Sequence, residues 1–390
     1  MPIERHRSLV LSLIFSAIAY SSSATAQDVK LAPGSEAEIV FDSAQKHCDE
    51  NDMPDVNARA FRDASGDIVM FALYDSNHAL RGKDIDHLAI DCHASLESRA
   101  DPNPAHYDDR NFLTATWTKD GRNVVGLVHH EYHADQHGRC SVKSNLGCWY
   151  NSVLAYLSTD SGENFTRAKP LVVASVPFPQ NVGQGSHRGF FNPSNIFSDG
   201  QYEYFFAATT GWDGQPFGAC LFRSATPEDS ASWRAYDGQD FTVHYDDPYK
   251  KPFSPPASCA PLSPFVFPVG AVVRERDTGL WLAVFQASHN ADVYPVDGFY
   301  YAEAEDLLHW SEPRLLLAGP TLYTNPCDAG STIIAYPSLI DPTAKGRNFD
   351  DVGPSPFLYY AIIDVANCET DARRLVRQRL SISSTLDRSP

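Results

Sequence analysis

A turn marked by Gly or Asp, followed by a β-rich apolar run, recurs roughly every 55 residues along this chain. The copies are RDASGDIVMFA (62–72), TKDGRNVVGLVH (118–129), FSDGQYEYFFAA (197–208), RERDTGLWLAVFQ (274–286) and, more loosely, VGPSPFLYYAII (352–363). Each reads as a strand, a tight turn and a strand rich in aromatic and β-branched residues. Three copies carry a second polar turn that ends in an aromatic residue: STDSGENF (158–165), PEDSASW (227–233) and AEDLLHW (304–310). Two hairpins per unit predict a four-stranded antiparallel sheet. Five such sheets arranged radially predict an all-β, five-bladed β-propeller of four-stranded blades, with its ligand site on the central axis.

The repeat assigns the part of the 390-residue chain beyond the leader to one domain, 27–390. Blade one is expected over 56–92, blade two over 111–173 with an insertion at 133–148, and blade three over 189–243. Blade four is expected over 264–318 and blade five over 331–384. Residues 27–46 are expected to cross the propeller face or to add a strand that closes the ring. A charged stretch at 369–379 fits a short helix or an outer strand.

Residues 1–26 read as a cleaved signal peptide. Arg5 and Arg7 precede an apolar run at 9–20, and Ala24-Thr25-Ala26 supplies the small-x-small cleavage pattern before Gln27. The protein is therefore expected to be secreted or periplasmic, with no membrane association. A formal net charge of −18 excludes nucleic acid as a partner. The eight cysteines of an exported chain predict disulfides, paired by locality as 48–92, 140–148, 220–259 and 327–368.

The residues 158–165 match the Asp-box pattern S-x-D-x-G-x-x-aromatic known from sialidases. Its physics is that of a turn: Asp160 accepts backbone N–H groups, Gly162 takes positive φ and Phe165 anchors the blade. Beyond it, the chain resembles the five-bladed propeller glycoside hydrolases, the group of arabinanases, β-xylosidases and fructosidases. The resemblance rests on Asp52-Met53-Pro54-Asp55 ahead of Arg59-Ala60-Phe61-Arg62-Asp63, on Asn192-Pro193-Ser194-Asn195-Ile196-Phe197, on Gly298-Phe299-Tyr300-Tyr301-Ala302 with Trp310-Ser311-Glu312-Pro313, and on Tyr336-Pro337-Ser338-Leu339-Ile340. It implies three axial carboxylates: a base or nucleophile from blade one, a second Asp that tunes it, and a Glu acid from a later blade. Asp52 or Asp55 matches the first and Asp108 or Asp109 falls near the second. The Glu-Gly-Pro segment of the acid is missing, and Asn192 stands where a carboxylate might be sought.

The densest titratable cluster is His129-His130-Glu131-Tyr132-His133. Ala134 replaces the second His of an H-E-x-x-H motif, so neither metal nor cofactor is expected. In a strand, His129, Glu131 and His133 share one face and His130 and Tyr132 the other. Glu131 is the candidate acid, with His130 as an alternative acid/base. Arg59, His129, Tyr132, His187, Arg188, Asn192, Trp212 and His289 are the candidate substrate-binding residues. For each the plainer reading is an ion pair, a core histidine, loop solvation or packing between blades. The function expected is an exported, monomeric glycoside hydrolase acting on a poly- or oligosaccharide. The alternatives are a polysaccharide lyase using His130, Tyr132, Arg59 and Arg188, and a non-catalytic carbohydrate-binding propeller.

Overall fold

A computed structural model describes residues 27–142, 147–176, 187–211, 214–250 and 257–384. The leader expected over 1–26, Trp212 and the tail from 385 lie outside these. The chain is all-β. Two strands come first, β1 (Gln27–Leu31) and β2 (Glu38–Asp42). A first antiparallel run follows: β3 (Pro54–Arg62), β4 (Ile68–Leu73), β5 (His78–Gly82) and β6 (Ala89–Ala94). The second is β7 (Arg110–Thr118), β8 (Val124–His133), β9 (Trp149–Ser158) and β10 (Thr166–Ala174). The third is β11 (Arg188–Phe191), β12 (Phe197–Ser198), β13 (Glu203–Thr209), β14 (Gly218–Ser224), β15 (Arg234–Tyr236) and β16 (Phe241–Val243). The fourth is β17 (Val269–Glu275), β18 (Trp281–Ala287), β19 (Gly298–Ala304) and β20 (Arg314–Ala318). The last comprises β21 (Thr332–Ile340), β22 (Asp351–Val352), β23 (Phe357–Ala366) and β24 (Glu369–Ser384). Helical backbone among the described residues is limited to two 3-10 turns, Pro104–His106 and Ser230–Ser232. The 369–379 stretch is strand, not helix.

The recurrent turn has one chemistry. Gly66, Gly121, Gly200 and Gly279 all take positive φ between the first two long strands of their run. Beside each, one carboxylate collects backbone N–H groups of the turn. Asp63 takes Ser65 and Asp67, Asp120 takes Arg122 and Asn123, Asp199 takes Gln201 and Tyr202, and Glu275 takes Asp277 and Thr278. Asp341 does the same for Thr343 and Gly353 in the last run. A short acidic residue followed by Gly is what such a turn requires, since one supplies the acceptor and the other the conformation. The turn at 158–165 is built likewise: Asp160 accepts from the Asn164 backbone at 3.0 Å, Gly162 has φ 78° and Phe165 is buried.

Five apolar clusters join neighbouring runs in cyclic order. Phe61, Phe71, Leu113 and Val128 join the first and second runs; Leu127, Val153, Phe190 and Phe205 the second and third. Phe206, Leu221, Phe285 and Tyr300 join the third and fourth; Val284, Phe299, Leu358 and Val376 the fourth and fifth. Ala60, Met70, Phe357 and Tyr359 join the fifth back to the first. Phe205 stacks on Phe222 at 4.7 Å and meets Trp233 edge-on at 4.8 Å. Burial of each such side chain contributes about 1.5–3 kcal/mol.

The sheets are less uniform than the repeat predicts. Only β3–β6 stand as four strands: parallel pairings of β11 with β9 and of β17 with β22 enlarge two of the other sheets, and antiparallel pairings of β1 and β2 with β24 enlarge the third. β11 pairs parallel with β9 through Arg188↔Tyr150 and Gly189↔Asn151, fusing the second and third runs into ten strands. That approach needs glycine: a Cβ on Gly189 would lie 2.0 Å from the Asn151 carbonyl oxygen. β1 and β2 both pair with β24, so the first and last strands share a sheet. The four disulfides are Cys48–Cys92, Cys140–Cys148, Cys220–Cys259 and Cys327–Cys368, the pairing expected from locality. Such bridges fit a chain that folds in an oxidising compartment. Among the described residues no helix is long and apolar enough to cross a membrane.

Arg59 on β3 lies where the first strands converge. Its Nε donates to Thr114 O of β7 at 2.7 Å, and its two terminal nitrogens reach Ala58 O, Ser338 Oγ of β21, Pro193 O and Gly270 O of β17. The guanidinium is buried, which pulls its pKa down to about 9. Its donors are spent on the protein, so the expectation that Arg59 binds substrate is corrected: it ties the strands together.

Candidate active site

The alternation of β8 holds. His129, Glu131 and His133 lie on one face; His130 and Tyr132 turn to the other and are wholly buried. His130 Nδ1 meets Asn111 Oδ1 at 3.1 Å and its ring packs edge-on against Tyr107. Burial, with His129 nearby, pushes its pKa down to about 3. The Tyr132 hydroxyl donates to Pro102 O at 2.9 Å. Both residues are therefore core, which corrects the catalytic role expected of His130 and the binding role expected of Tyr132.

Glu131 accepts from His133 Nε2 at 3.0 Å, and His129 Nε2 stands 3.8 Å from its other oxygen. An aromatic chain surrounds it. His133 stacks on Trp149 at 5.0 Å, Trp149 faces His187 at 5.1 Å, His187 meets Phe191 edge-on at 4.8 Å, and Phe191 approaches His129 at 6.5 Å. From His129 the chain continues through Phe112 at 5.9 Å to Tyr74 at 5.0 Å. Asn192, with φ 49°, hydrogen-bonds to His129. Burial, with His129 beside it, pushes the pKa of His187 down to about 4.

Four further residues, Asp75, Arg110, Tyr336 and Arg373, connect with Asp55 and Glu131. Asp75 lies just past the end of β4. Burial raises its pKa; Arg110 pulls it down, and the charges of Glu131 and Asp49 push it up again, for a net rise. Arg110 donates to the Tyr74 hydroxyl at 3.1 Å. Tyr336, at φ 58° in a bulge of β21, donates its hydroxyl to Asp55 Oδ1 at 2.9 Å. A bulky residue in that backbone region is strained, and such strain gathers at functional sites. Burial, with Glu131 nearby, raises the Tyr336 pKa, so the phenol stays a neutral donor. Arg373 of β24 pairs with Asp55, its own pKa lowered to about 10 by burial. Asp55, Asp75 and Glu131 thus share one region with Arg110 and Arg373, three acids against two fixed cations.

The remaining candidates fall elsewhere. Asp52 is 1% exposed and accepts from the backbone of Cys48 and Asp49, from Ser76 Oγ and from His78 Nδ1 at 2.7–2.9 Å. Burial raises its pKa, but these bonds outweigh it and the net shift is down. It pins a loop, which corrects its catalytic assignment. Asp109 accepts from the His133 backbone and Asp108 pairs with Arg167. Arg188 donates to Gly211 O at 3.0 Å. His289 is exposed in a loop, its ring held by Pro295 O. Trp212 lies outside the described residues.

The buried histidines have a measurable consequence. Their folded pKa values lie below the unfolded value of about 6.5. They therefore add stability above that pH, and lose it as pH falls toward about 4 and about 3, the values for His187 and His130. Melting temperature should drop by several degrees across this window. His130→Gln, which keeps a partner for Asn111 and cannot protonate, should flatten the drop; an unchanged profile contradicts this account.

No family model and no curated protein sequence matches the chain. Solved structures do match. An endo-arabinase from Bacteroides thetaiotaomicron is 13% identical with a TM-score of 0.37, over 72% of this chain and 76% of that one. A thermostable family-43 glycoside hydrolase is 12% identical with a TM-score of 0.42, over 87% and 97%. An endo-1,4-β-xylanase from Bacteroides thetaiotaomicron is 9% identical with a TM-score of 0.41, over 84% and 98%.

Proposed function

We propose that this chain is an exported glycoside hydrolase, and that its runs of strands are the blades of a single five-bladed β-propeller. The cyclic order of the five apolar clusters and the convergence of first strands on Arg59 support the blade count. What supports the activity is the linkage of three carboxylates: Asp55 is bonded to Tyr336, and the charge of Glu131 acts on both Tyr336 and Asp75.

Glycosidic cleavage needs one protonated carboxyl at the leaving oxygen and one ionised carboxylate at the opposite face of the sugar. Asp75, whose pKa is raised by burial and by Glu131, is the acid in this reading. Asp55, paired with Arg373 and bonded to Tyr336, is the base or nucleophile. Glu131 is a charge that adds to burial in raising the pKa of Asp75. Trp149, His187, Phe191 and Tyr74 offer ring faces on which the apolar C–H surface of a sugar stacks. His129 and Asn192 supply polar contacts. The partner is a neutral poly- or oligosaccharide, and the enzyme works as a monomer without a cofactor.

The lyase alternative loses three of its four residues, since His130 and Tyr132 are core and the Arg59 donors are spent on backbone carbonyls and Ser338. A pure binder has no use for a carboxyl whose pKa is raised by burial and by a neighbouring carboxylate. The test is a polysaccharide panel assayed for new reducing ends with wild type and Asp55→Asn. Release by wild type and none by the variant supports the reading. Binding without release from any substrate by wild type refutes it in favour of a binding propeller.

A further inference from the structure

β1 begins at Gln27, the residue that follows Ala24-Thr25-Ala26. Gln27 is 0% exposed. Its backbone nitrogen lies 3.0 Å from Glu303 Oε1 and 3.3 Å from Glu303 Oε2. Its carbonyl accepts from Arg314 at 2.6 Å, and Arg314 also pairs with Glu303. Its side-chain nitrogen donates to Glu275 Oε2 at 3.0 Å and to Thr278 Oγ1. Two buried carboxylates, Glu275 and Glu303, thus flank this residue, with one guanidinium beside them.

We infer that Gln27 is the first residue of the working protein and that Glu303 is the built receptor for its free α-ammonium group. A peptide nitrogen has one hydrogen to offer two carboxylate oxygens, whereas an ammonium has three and carries the missing positive charge. Buried carboxylates demand such compensation. The chemistry is hydrolysis of the Ala26–Gln27 bond by an endopeptidase: water supplies the second oxygen of the new Ala26 carboxylate, and its two protons join the one already on the Gln27 nitrogen to make the ammonium. Docking also protects that amine. A free N-terminal Gln closes to pyroglutamate when its α-nitrogen attacks the side-chain carbonyl and expels ammonia. Glu275 and Thr278 hold the side-chain amide, and Glu303 holds the α-nitrogen, so the two stay apart.

The test begins with the chain exported from cells that express the whole sequence. Mass spectrometry of its N-terminal peptide should find Gln27 first, with a reactive primary amine. A start at another residue, or a pyroglutamate, overturns the inference. The mature chain is then compared with a version carrying one Gly ahead of Gln27. The extension should lower the melting temperature by several degrees, and Glu303→Gln should abolish the difference between the two. Equal melting temperatures with Glu303 intact overturn the inference. That comparison stands by itself if Glu303→Gln does not fold.

Discussion

Asp75→Asn is expected to cut kcat/KM by about 10²–10⁴-fold, the usual contribution of a positioned acid, without loss of fold. The sign of its stability effect is a separate check. A carboxyl whose folded pKa is raised adds stability only at low pH and loses it as pH rises through that value. Asparagine cannot ionise, so the variant should melt at or above the wild-type temperature at neutral pH while being nearly inactive. The flanking charges then sort themselves by direction. Arg110 lowers the Asp75 pKa, so Arg110→Gln should move the alkaline limb of the rate profile to higher pH. Glu131 raises it, so Glu131→Gln should move that limb to lower pH. Full activity in Asp75→Asn would falsify the assignment of the acid.

Arg59→Met should produce the largest loss of stability of any single change at the axis. Five donor contacts disappear together, and the carbonyls of Thr114, Pro193 and Gly270 are left without this partner at a buried junction. Each orphaned buried acceptor costs about 1–3 kcal/mol, so a total of at least about 4 kcal/mol is expected, in the range reserved for broken buried networks. Lysine keeps the charge but lacks the planar fork that reaches four elements at once, and it should rescue little. Chemical denaturation of wild type, Arg59→Met and Arg59→Lys measures this. A midpoint for Arg59→Met close to wild type would show that the strands converge without their tie.

The sequence carried more of the frame than of the site. Its repeat located the Gly turns because the turn is local: an acidic residue and a glycine one to four positions apart suffice. The alternation of β8 likewise sorted His129 and Glu131 from His130 and Tyr132. Which of the two faces meets the candidate site was not local information, and His130 was chosen from the wrong one. Asp75 had a readable signal. It lies just past the end of β4 as Glu131 lies near the end of β8, and comparing the ends of all second strands would have found it. Arg373 and Tyr336 had none. The Arg373–Asp55 pair spans 318 residues, and Tyr336 reaches Asp55 only because a bulge turns it. Asp52 misled because a carboxylate beside a strand looks the same in sequence whether it is free or already saturated by Cys48, Asp49, Ser76 and His78.

The pairing of β1 with β24 sets an order of events. Gln27 faces Ser384 and Leu31 faces Leu380, so the strand at 27–31 waits for residues made about 350 positions later. Until 380–384 emerge, β1 has no partner strand and the sheet of the fifth run stays unfinished. A chain still being synthesised therefore stays open, with its apolar sheet faces uncovered, and closure comes as one late, long-range event. A nascent chain stalled before 380 should be digested readily by protease, whereas the completed ring should resist.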